Sequence, residues 1–221
     1  MIARDLQGGI LHHFPVWYPP HVRSLGTMGI DLLWGDPYQG RDTRTISFEN
    51  SFGQQREQEG DGPTTYHVTH GAIDIIAGFG CEVRSTVDGE VVETWYAFPD
   101  EGRDPRPGVG FQAYSRSNPK SGGNYAMILD AQGYHHYYAH MMYEPQVGVG
   151  QSVSAGQKIG FVGATGLRPG SVQHLHYQTT RRTEWRAQSF NPYRELRRLA
   201  EDTVPGVRLY VSPGGRVYLR L

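Results

Sequence analysis

The closely spaced glycines and prolines of this chain limit its fold more than any other feature. The 221 residues include 29 glycines, about twice the usual share, and 14 prolines. The runs between these turn residues are short and rich in β-branched and aromatic side chains, as is typical of strands. The sequence therefore predicts a turn-rich β protein, long enough for one domain of good size with or without extensions.

Three pairs of these runs are interpreted as β-hairpins. The first joins CEVRSTV to EVVETWY through Asp88–Gly89, a dipeptide favoured in two-residue hairpin turns. The second joins GNYAMILD to YHHYYAHM through AQG. The third, at the end of the chain, joins VRLYVS to RVYLRL through a Pro-Gly-Gly turn. QKIGFVG is interpreted as a further short strand.

The two ends of the chain are predicted to differ from this β region. HHFPVWYPP is interpreted as an extended arm packed on the domain, because its three prolines exclude a helix. Near the other end, Asn191 suits a helix N-cap and Pro192 suits the first helical position. The residues that follow place one apolar stripe on a helix, formed by Tyr193, Leu196, Leu199 and Ala200.

Charge and hydropathy exclude several classes of function. The chain has 21 Lys and Arg against 22 Asp and Glu, which argues against nucleic acid as a bulk partner. Residues 181–221 hold nine arginines and four acidic residues, which we interpret as a solvated face, with contact to a polyanion as the alternative. No apolar run approaches the roughly 18 residues of a membrane span, and the N-terminus lacks the features of a signal peptide. Cys81, the single cysteine, is predicted to be a small core residue.

Two histidines one residue apart raise the question of a metal site. His174 and His176 lie in the strand-like run VQHLHYQ, where alternate side chains face the same side, about 7 Å apart. HGAID, with His70 and Asp74, and YYAHM, with His140, supply three more polar side chains. Two histidines and one carboxylate would suit zinc and leave a position open for water. The two remaining histidines would suit proton transfer near neutral pH.

Several stretches, in the same order, resemble the lysostaphin-type or LytM-domain zinc metallopeptidases, a family of peptidoglycan endopeptidases. NSFGQQR resembles SxFGxR, and HGAIDIIAGFGCEVRSTVDGEVV resembles HxGxDIAAPxGTPVxAxxDGxV. GNYAMILDAQGYHHYYAHM resembles GNxVxIxHxxGxxTxYAHL, and VSAGQKIGFVGATG resembles VxxGQxIGxxGxTG. HLHYQ is similar to HLHFE, and NPY is similar to the family's ending. The resemblance runs from about Ile46 to Tyr193.

The resemblance implies a role for each of the five polar side chains. His70, Asp74 and His176 match the family's zinc ligands, and His140 and His174 match its catalytic histidines. The implied cofactor is one zinc ion per chain, and the implied reaction is hydrolysis of a peptide bond in peptidoglycan. The bond could be a glycine bridge, a D-Ala crosslink or a stem-peptide bond.

The resemblance also implies the fold and its division. We expect an all-β fold, a β-rich sandwich with a groove over the sheet, with an irregular N-terminal arm and a C-terminal helix plus hairpin. The expected segments are the arm at 1–45, a LytM-like zinc peptidase domain at 46–193 and a C-terminal extension at 194–221. Such an enzyme would act at the bacterial cell wall or periplasm. Without a visible signal peptide, we expect a phage-encoded enzyme, a delivered effector or a chain whose leader was removed.

The chain departs from the family pattern at positions that border the expected site. Gly71 stands one place early, although the spacing from His70 to Asp74 is kept. Gln178 replaces the usual Glu, and as a neutral acceptor for the free ring N–H of His176 it would polarise that imidazole less. The approach to HLH, LRPGSVQ, is longer than the family's STG.

Two further features allow alternative interpretations. The segment 98–123 is an insertion that is either a surface loop or a groove wall that sets specificity. Tyr66 and Tyr138 either donate a hydrogen bond to the developing oxyanion or pack in the fold.

Two other functions fit parts of the pattern. A non-catalytic LytM-like binding or regulatory module would usually lack some ligands, whereas all five polar positions are present here. A non-haem iron oxygenase also uses two histidines and one carboxylate. The four-residue spacing from His70 to Asp74 and the two extra histidines disfavour it.

Overall fold

The structure is a computed structural model that describes residues 11–17, 45–59, 65–78, 81–96, 122–167, 171–183, 186–202 and 208–220. These residues form strands and one helix. In chain order they are β1 (Val16–Trp17), β2 (Thr45–Phe48), β3 (Gln55–Glu59), β4 (Thr65–Thr69), β5 (Ile73–Ile76), β6 (Glu82–Arg84), β7 (Gly89–Trp95), β8 (Asn124–Leu129), β9 (Tyr134–Met141), β10 (Ser152–Val153), β11 (Lys158–Phe161), β12 (His174–Thr183), β13 (Arg186–Phe190), α1 (Tyr193–Asp202), β14 (Arg208–Val211) and β15 (Val217–Arg220).

The strands pair into one large sheet and two small ones. The large sheet has the order β10-β7-β8-β9-β12-β5-β2-β15-β14, and β13 pairs with the far end of β12. A three-stranded sheet has the order β1-β6-β11, and β3 and β4 form a separate hairpin. The paired strands are antiparallel throughout the described residues.

The hydrophobic core lies between the large sheet and the three-stranded sheet. Ile75 of β5 and Leu175 of β12 are fully buried from one side, and Val83 of β6 and Ile159 of β11 are fully buried from the other. All four belong to one continuous cluster. This two-layer packing confirms the predicted β-rich sandwich.

The described part of the N-terminal arm packs on this core as predicted. Leu11, Phe14 and Val16 are buried, and the ring of Phe14 lies 5.6 Å from the ring of Phe48 in β2. Cys81 is also buried, which raises its pKa to about 12 and confirms that it is a core residue.

One predicted hairpin is wrong. CEVRSTV and EVVETWY contribute β6 and β7, but β6 pairs with β1 and β11 whereas β7 pairs with β8 and β10. The chain therefore crosses from one layer to the other at Asp88. The Asp88 side chain accepts a hydrogen bond from the amide of Ala155 at 2.8 Å, which ties the crossing to the segment before β11. A turn-favouring dipeptide cannot distinguish this crossing from a hairpin.

The remaining predicted elements are present. β8 pairs with β9, and β14 pairs with β15. The helix begins where predicted, because Asn191 Oδ1 accepts the amide of Tyr193 at 3.0 Å, and Leu196 and Leu199 are buried against the core. The described residues contain no helix with the length and hydropathy of a membrane span.

Candidate active site

Neighbouring strands of the large sheet bring two of the predicted ligands together. In the register of β5 and β12, Asp74 stands directly opposite His176. Along these strands Ile75 and Leu175 point into the core, so Asp74 and His176 point to the other face. Asp74 Oδ1 lies 3.2 Å from His176 Nδ1. The alternation of the two strands therefore builds half of the candidate site.

The third predicted ligand follows the β3–β4 hairpin. His70 is buried, and its Nδ1–H donates to the carbonyl oxygen of Ser51 at 3.0 Å, which leaves Nε2 as the free ring nitrogen. Ser51 Oγ also accepts the amide of Asp74 at 3.2 Å. Ser51 thus positions two predicted ligands, a role that sequence analysis did not assign to the quoted NSFGQQR stretch.

The three donor atoms form a nearly equilateral triangle. His70 Nε2 lies 3.2 Å from Asp74 Oδ1 and 3.3 Å from His176 Nδ1, and the third side is the 3.2 Å already given. Donors about 2.0–2.1 Å from a tetrahedral zinc lie about 3.3–3.4 Å apart. Two imidazole nitrogens and one carboxylate oxygen at this spacing fit a zinc site with an open fourth position.

A second group of possible donors overlaps the first. His140, His174 and His176 also offer ring nitrogens within 4.8 Å of one another. The rings of His140 and His174 are in edge-to-face contact, with centroids 4.9 Å apart. The triangle of His70, Asp74 and His176 is tighter and matches the spacing of zinc ligands better. His140 and His174 therefore lie next to the candidate metal site and are not part of it.

An unusual backbone conformation brings His140 to the site. Tyr138, two residues earlier in β9, stands opposite the core residue Tyr177 of β12, so strict alternation would point His140 into the core as well. His140 has a φ of 61°, in the left-handed region that non-glycine residues rarely adopt. The alternation breaks there, and its ring contacts those of His174 and His176 on the opposite face. Backbone strain of this kind is typical of functional positions.

His140 and His174 each have one ring nitrogen fixed by a backbone carbonyl. His140 Nδ1–H donates to Thr165 O at 2.8 Å, and His174 Nδ1–H donates to Val172 O at 2.7 Å. Burial, followed by the neighbouring imidazoles, holds the pKa of His140 well below its usual value. Burial also lowers the pKa of His174, although Asp74 opposes this. Both imidazoles are therefore neutral near pH 7, with Nε2 free to accept a proton.

Asp74 is the one carboxylate in the two groups of possible donors found among the described residues. Burial alone would raise its pKa, but the surrounding imidazoles, chiefly that of His174, hold the pKa well below its usual value. Asp74 Oδ2, which is not part of the triangle, accepts a hydrogen bond from Arg56 Nη2 at 2.7 Å. Sequence analysis did not assign this role to Arg56, because a contact between β3 and β5 is visible only in the folded chain.

Comparison with known proteins decides the family. The profile of peptidase family M23 matches residues 68–192, more than half of the chain, and includes all five predicted polar side chains. The chain belongs to peptidase family M23. The resemblance drawn from the sequence motifs is thereby confirmed.

The relatives of this M23 chain include proteins with named activities. The L-Ala–D-Glu endopeptidase of Bacillus subtilis (strain 168) is 33% identical over 138 residues, which are 58% of this chain and 34% of the relative. The chain therefore aligns with about a third of that relative's length. A LytM protein from Ruminococcus gnavus has the same fold, with a TM-score of 0.51 and 20% identity over 88% of this chain and 62% of that one. The catalytic domain of lysostaphin from Staphylococcus simulans is 25% identical, with a TM-score of 0.41, over 65% of this chain and 92% of that one.

Of the two alternatives for Tyr138, its position favours packing in the fold over donation to an oxyanion. Tyr138 is fully buried on the core face, and its hydroxyl accepts the amide of Thr86 at 2.8 Å. Tyr137 instead stands on the site face, opposite Gln178, and its ring lies edge-on to His176 with centroids 6.1 Å apart. The positive φ at His140 places His140 and Tyr137 on the same face of β9, which strict alternation along the strand would not predict. The side chain of Tyr66 lies outside the described residues.

Two departures from the family pattern meet beside the site. Gln178 donates from Nε2 to Ser189 Oγ at 2.9 Å, which ties its side chain to β13. A Cβ on Gly71 would lie 2.8 Å from Ser189 Oγ and 3.2 Å from Gln178 Nε2. Gly71, Gln178 and Ser189 therefore pack together, and a side chain at position 71 would require the Ser189 hydroxyl to shift.

A chain of hydrogen bonds runs through the core beneath the site. Its members are Tyr138, Thr86, Tyr177, His136 and Asp130. The contacts are 2.7 Å from Tyr138 to Thr86 Oγ1, 3.0 Å from Thr86 to Tyr177, 2.8 Å from Tyr177 to His136 Nδ1 and 3.0 Å from His136 Nε2 to Asp130 Oδ2.

The direction of each hydrogen bond in this chain follows from its two ends. The Thr86 amide donates to Tyr138, and Asp130 accepts from His136, so each hydroxyl donates towards Asp130. Asp130 Oδ1 also accepts two backbone amides. Tyr177 immediately follows His176 in β12, and Tyr138 immediately precedes Ala139 in β9. The network therefore ties together the two strands that carry site residues.

Two predicted borders of the site fall largely outside the described part of the chain. Most of the 98–123 insertion, and residues 168–170 within the long approach to HLH, lie outside the described residues.

Three arginines of the C-terminal segment form ion pairs among the described residues. Arg198 bonds Glu195, Arg197 lies 3.8 Å from Glu201, and Arg216 bonds Glu49. Such pairs are those expected of a solvated, charged face.

Proposed function

We propose that this chain is a zinc-dependent endopeptidase that hydrolyses a peptide bond in bacterial peptidoglycan, within a crosslink or a stem peptide. The observation that carries the proposal is the triangle of donor atoms from His70, Asp74 and His176, with sides of 3.2–3.3 Å. The two buried imidazoles of His140 and His174 stand beside that triangle. Membership of peptidase family M23 supports the same reading.

In this proposal His70, Asp74 and His176 hold one zinc ion. A bound zinc would supply Lewis-acid polarisation of the scissile carbonyl and would acidify water. The protein fixes the donors before the metal arrives, since Ser51 O orients His70 and the Ser51 hydroxyl anchors the Asp74 backbone. Arg56 occupies Asp74 Oδ2, so Oδ1 is the oxygen presented to the metal.

His140 and His174 are proposed as the catalytic histidines. Each donates through Nδ1 to a backbone carbonyl, so each presents Nε2 as a proton acceptor. Because burial holds both pKa values below the ordinary imidazole value, each is ready to take a proton from attacking water at neutral pH. One of the pair accepts that proton, and the other, once its Nε2 also carries a proton, stabilises the oxyanion or protonates the leaving amine.

The substrate is proposed from the family and from one named relative. The Bacillus subtilis relative is an L-Ala–D-Glu endopeptidase, whose name specifies a bond between alanine and D-glutamate. A stem-peptide bond of this kind is therefore one candidate, beside a glycine bridge and a D-Ala crosslink. We assign the activity to residues 46–193 and place its action at the cell wall or periplasm.

A combined metal and product analysis tests the proposal. Purified protein is analysed for zinc and then incubated with peptidoglycan, with and without exhaustive chelation, and the released fragments are identified by mass spectrometry. We expect one zinc per chain, release of peptides with new termini, and loss of release after chelation. Binding to peptidoglycan without any released peptide would instead indicate a non-catalytic LytM-like module. Full activity without detectable metal would exclude the zinc mechanism.

A further inference from the structure

Arg56 is the fixed positive charge beside the candidate zinc site. Its Nη2 lies 2.7 Å from Asp74 Oδ2, and Asp74 Oδ1 lies 3.6 Å from His174 Nε2. The Arg56 guanidinium therefore contacts one member of the donor triangle, and that same Asp74 carboxylate links it to the proposed catalytic residue His174. A group bound to Arg56 would lie next to the reacting atoms.

The position of Arg56 is set by the same hairpin that leads to His70. Arg56 lies in β3 opposite Val68 of β4, and His70 directly follows that strand. The His70 amide donates to the carbonyl of Gln54 at 2.8 Å, two residues before Arg56. Arg56 is thus held on a regular β-hairpin. A side chain on such an element can meet a substrate at a defined place.

The Arg56 side chain is not used up by Asp74. A guanidinium offers five N–H donors in a planar fork that suits carboxylates. Among the described residues, its recorded partner is Asp74, reached through Nη2 alone. The side chain is 37% exposed, whereas that of Asp74 is 14% exposed. Donors on Arg56 therefore remain accessible at the edge of the site.

The charge balance of the site leaves a positive excess. Asp74 is the one carboxylate in the two donor groups found among the described residues. With zinc bound, the single charge of Asp74 would face the metal and the Arg56 guanidinium together. A negative group on the substrate would be attracted to this centre, and a neutral link would not.

We propose that Arg56 binds a carboxylate of the substrate adjacent to the scissile bond. The enzyme would then select peptides that carry a free α-carboxylate beside the bond that is cut, over neutral links such as glycine bridges. This inference rests on the proposed endopeptidase function and names the substrate class for the same site. Arg56 acts as a substrate-binding residue in addition to its contact with Asp74.

A pair of matched peptides tests the inference. Both are stem-peptide fragments with one alanyl–D-glutamyl bond, and they differ only in the α-carboxyl group of the glutamate, which is free in one and amidated in the other. With zinc-loaded protein we expect kcat/KM to be about tenfold or more higher for the free acid, the effect of one charge-assisted hydrogen bond. The difference should lie mainly in KM. Calorimetric binding of both peptides provides a readout that does not depend on cleavage.

Variants assign the preference to Arg56. In Arg56→Gln the ratio between the two peptides should fall towards one. Zinc affinity is also expected to fall because Asp74 loses a partner, but both peptides experience the same metal site, so their ratio cancels that loss. Arg216→Gln is the matched control, because Arg216 also pairs with a carboxylate, Glu49 at 2.9 Å, and is 34% exposed. This control should keep the wild-type ratio.

The outcomes separate the inference from the proposed function. Equal kcat/KM and equal affinity for the two peptides would overturn the inference and leave the endopeptidase function intact. Tighter binding of the free acid without cleavage of either peptide would support the carboxylate subsite and overturn the function. A wild-type ratio retained in zinc-loaded Arg56→Gln would show that another residue reads the carboxylate.

Discussion

Asp74 and His176 stand directly opposite each other on adjacent antiparallel strands, and their side chains meet at 3.2 Å. A slip of one residue between β5 and β12 would turn one of them into the core. The candidate metal site therefore depends on the register of the sheet. The buried residues Ile75 and Leu175 on the opposite face maintain that register.

Removal of the carboxylate should remove the metal. Asp74→Ala deletes one corner of the donor triangle, so we expect zinc affinity to fall by more than the roughly 10–100-fold typical of residues that only support a ligand. Zinc content after equilibrium dialysis at several free zinc concentrations measures this. Asp88→Ala, on the exposed segment that crosses between the sheets, should bind zinc as the wild type does. Unchanged zinc affinity in Asp74→Ala would contradict the ligand assignment.

Substitutions of His140 and His174 should lower turnover without affecting metal binding. His140→Ala and His174→Ala are expected to keep zinc but to lose about 100-fold or more in kcat, because each removes a proton-transfer group. Turnover of a soluble peptide and zinc content are measured on the same samples, with His67→Ala, at an exposed position of β4, as the control. Zinc loss in His174→Ala, with zinc retained in His176→Ala, would show that the roles of the HLH pair are exchanged.

Tyr138→Phe should affect stability and leave catalysis nearly intact. The change leaves the buried Thr86 amide without its acceptor, which costs about 1–3 kcal/mol of unfolding free energy. Denaturant unfolding measures that loss, and kcat of the folded, zinc-loaded variant should stay near the wild-type value. Tyr210→Phe, at a 55% exposed position, should change neither quantity. A fall in kcat of about 100-fold with an intact fold would return Tyr138 to an oxyanion role.

The buried pair of His136 and Asp130 should make stability depend on pH. Burial lowers the pKa of His136, although Asp130 opposes this. An imidazole in the unfolded chain has a pKa of about 6.5. As the pH falls, His136 therefore takes up a proton in the unfolded chain before it does so in the folded protein. Burial would raise the pKa of Asp130, but the hydrogen bonds it accepts, chiefly from His136, lower it. Both depressed values give stability that is present at higher pH and lost on acidification.

The expected pH windows follow from these signs. The His136 contribution should decline as the pH falls below about 6.5, by up to about 1.4 kcal/mol of unfolding free energy per pH unit, and the Asp130 contribution should decline below about pH 4. Denaturant unfolding of chelated protein from pH 7.5 to 4 measures the slope without a contribution from metal. His136→Gln, which cannot titrate, should flatten the slope between pH 6.5 and 5. Identical slopes in both proteins would contradict the prediction.

The sequence predicted the elements that local patterns encode. The alternation around His174 and His176 predicted a strand with both side chains on one face, and the Asn191 cap located the helix start. The Asp88–Gly89 hairpin was mispredicted because the partner of a strand depends on which layer it packs in. Long-range partners, not local propensity, decided that pairing.

The site shows the same limit. Motifs supplied five polar residues that the structure does bring together, but they did not reveal the positive φ at His140, which breaks the alternation of β9 and puts His140 on the same face as Tyr137. The contact of Arg56 with Asp74 joins residues 18 positions apart on different sheets. Neither feature follows from the residues on a single strand.

The place of β12 within the sheet has a consequence for the metal-free protein. At His176 and Tyr177 this strand is paired on both sides, with β5 and with β9. Backbone amides in such a position open only with the surrounding sheet, so their hydrogen exchange should be among the slowest in the chain. Small zinc domains, in contrast, fold only when the metal binds. Here the donor set is preorganised by the sheet. Loss of zinc should therefore abolish activity without unfolding the protein, and readdition of zinc should restore activity without a refolding step.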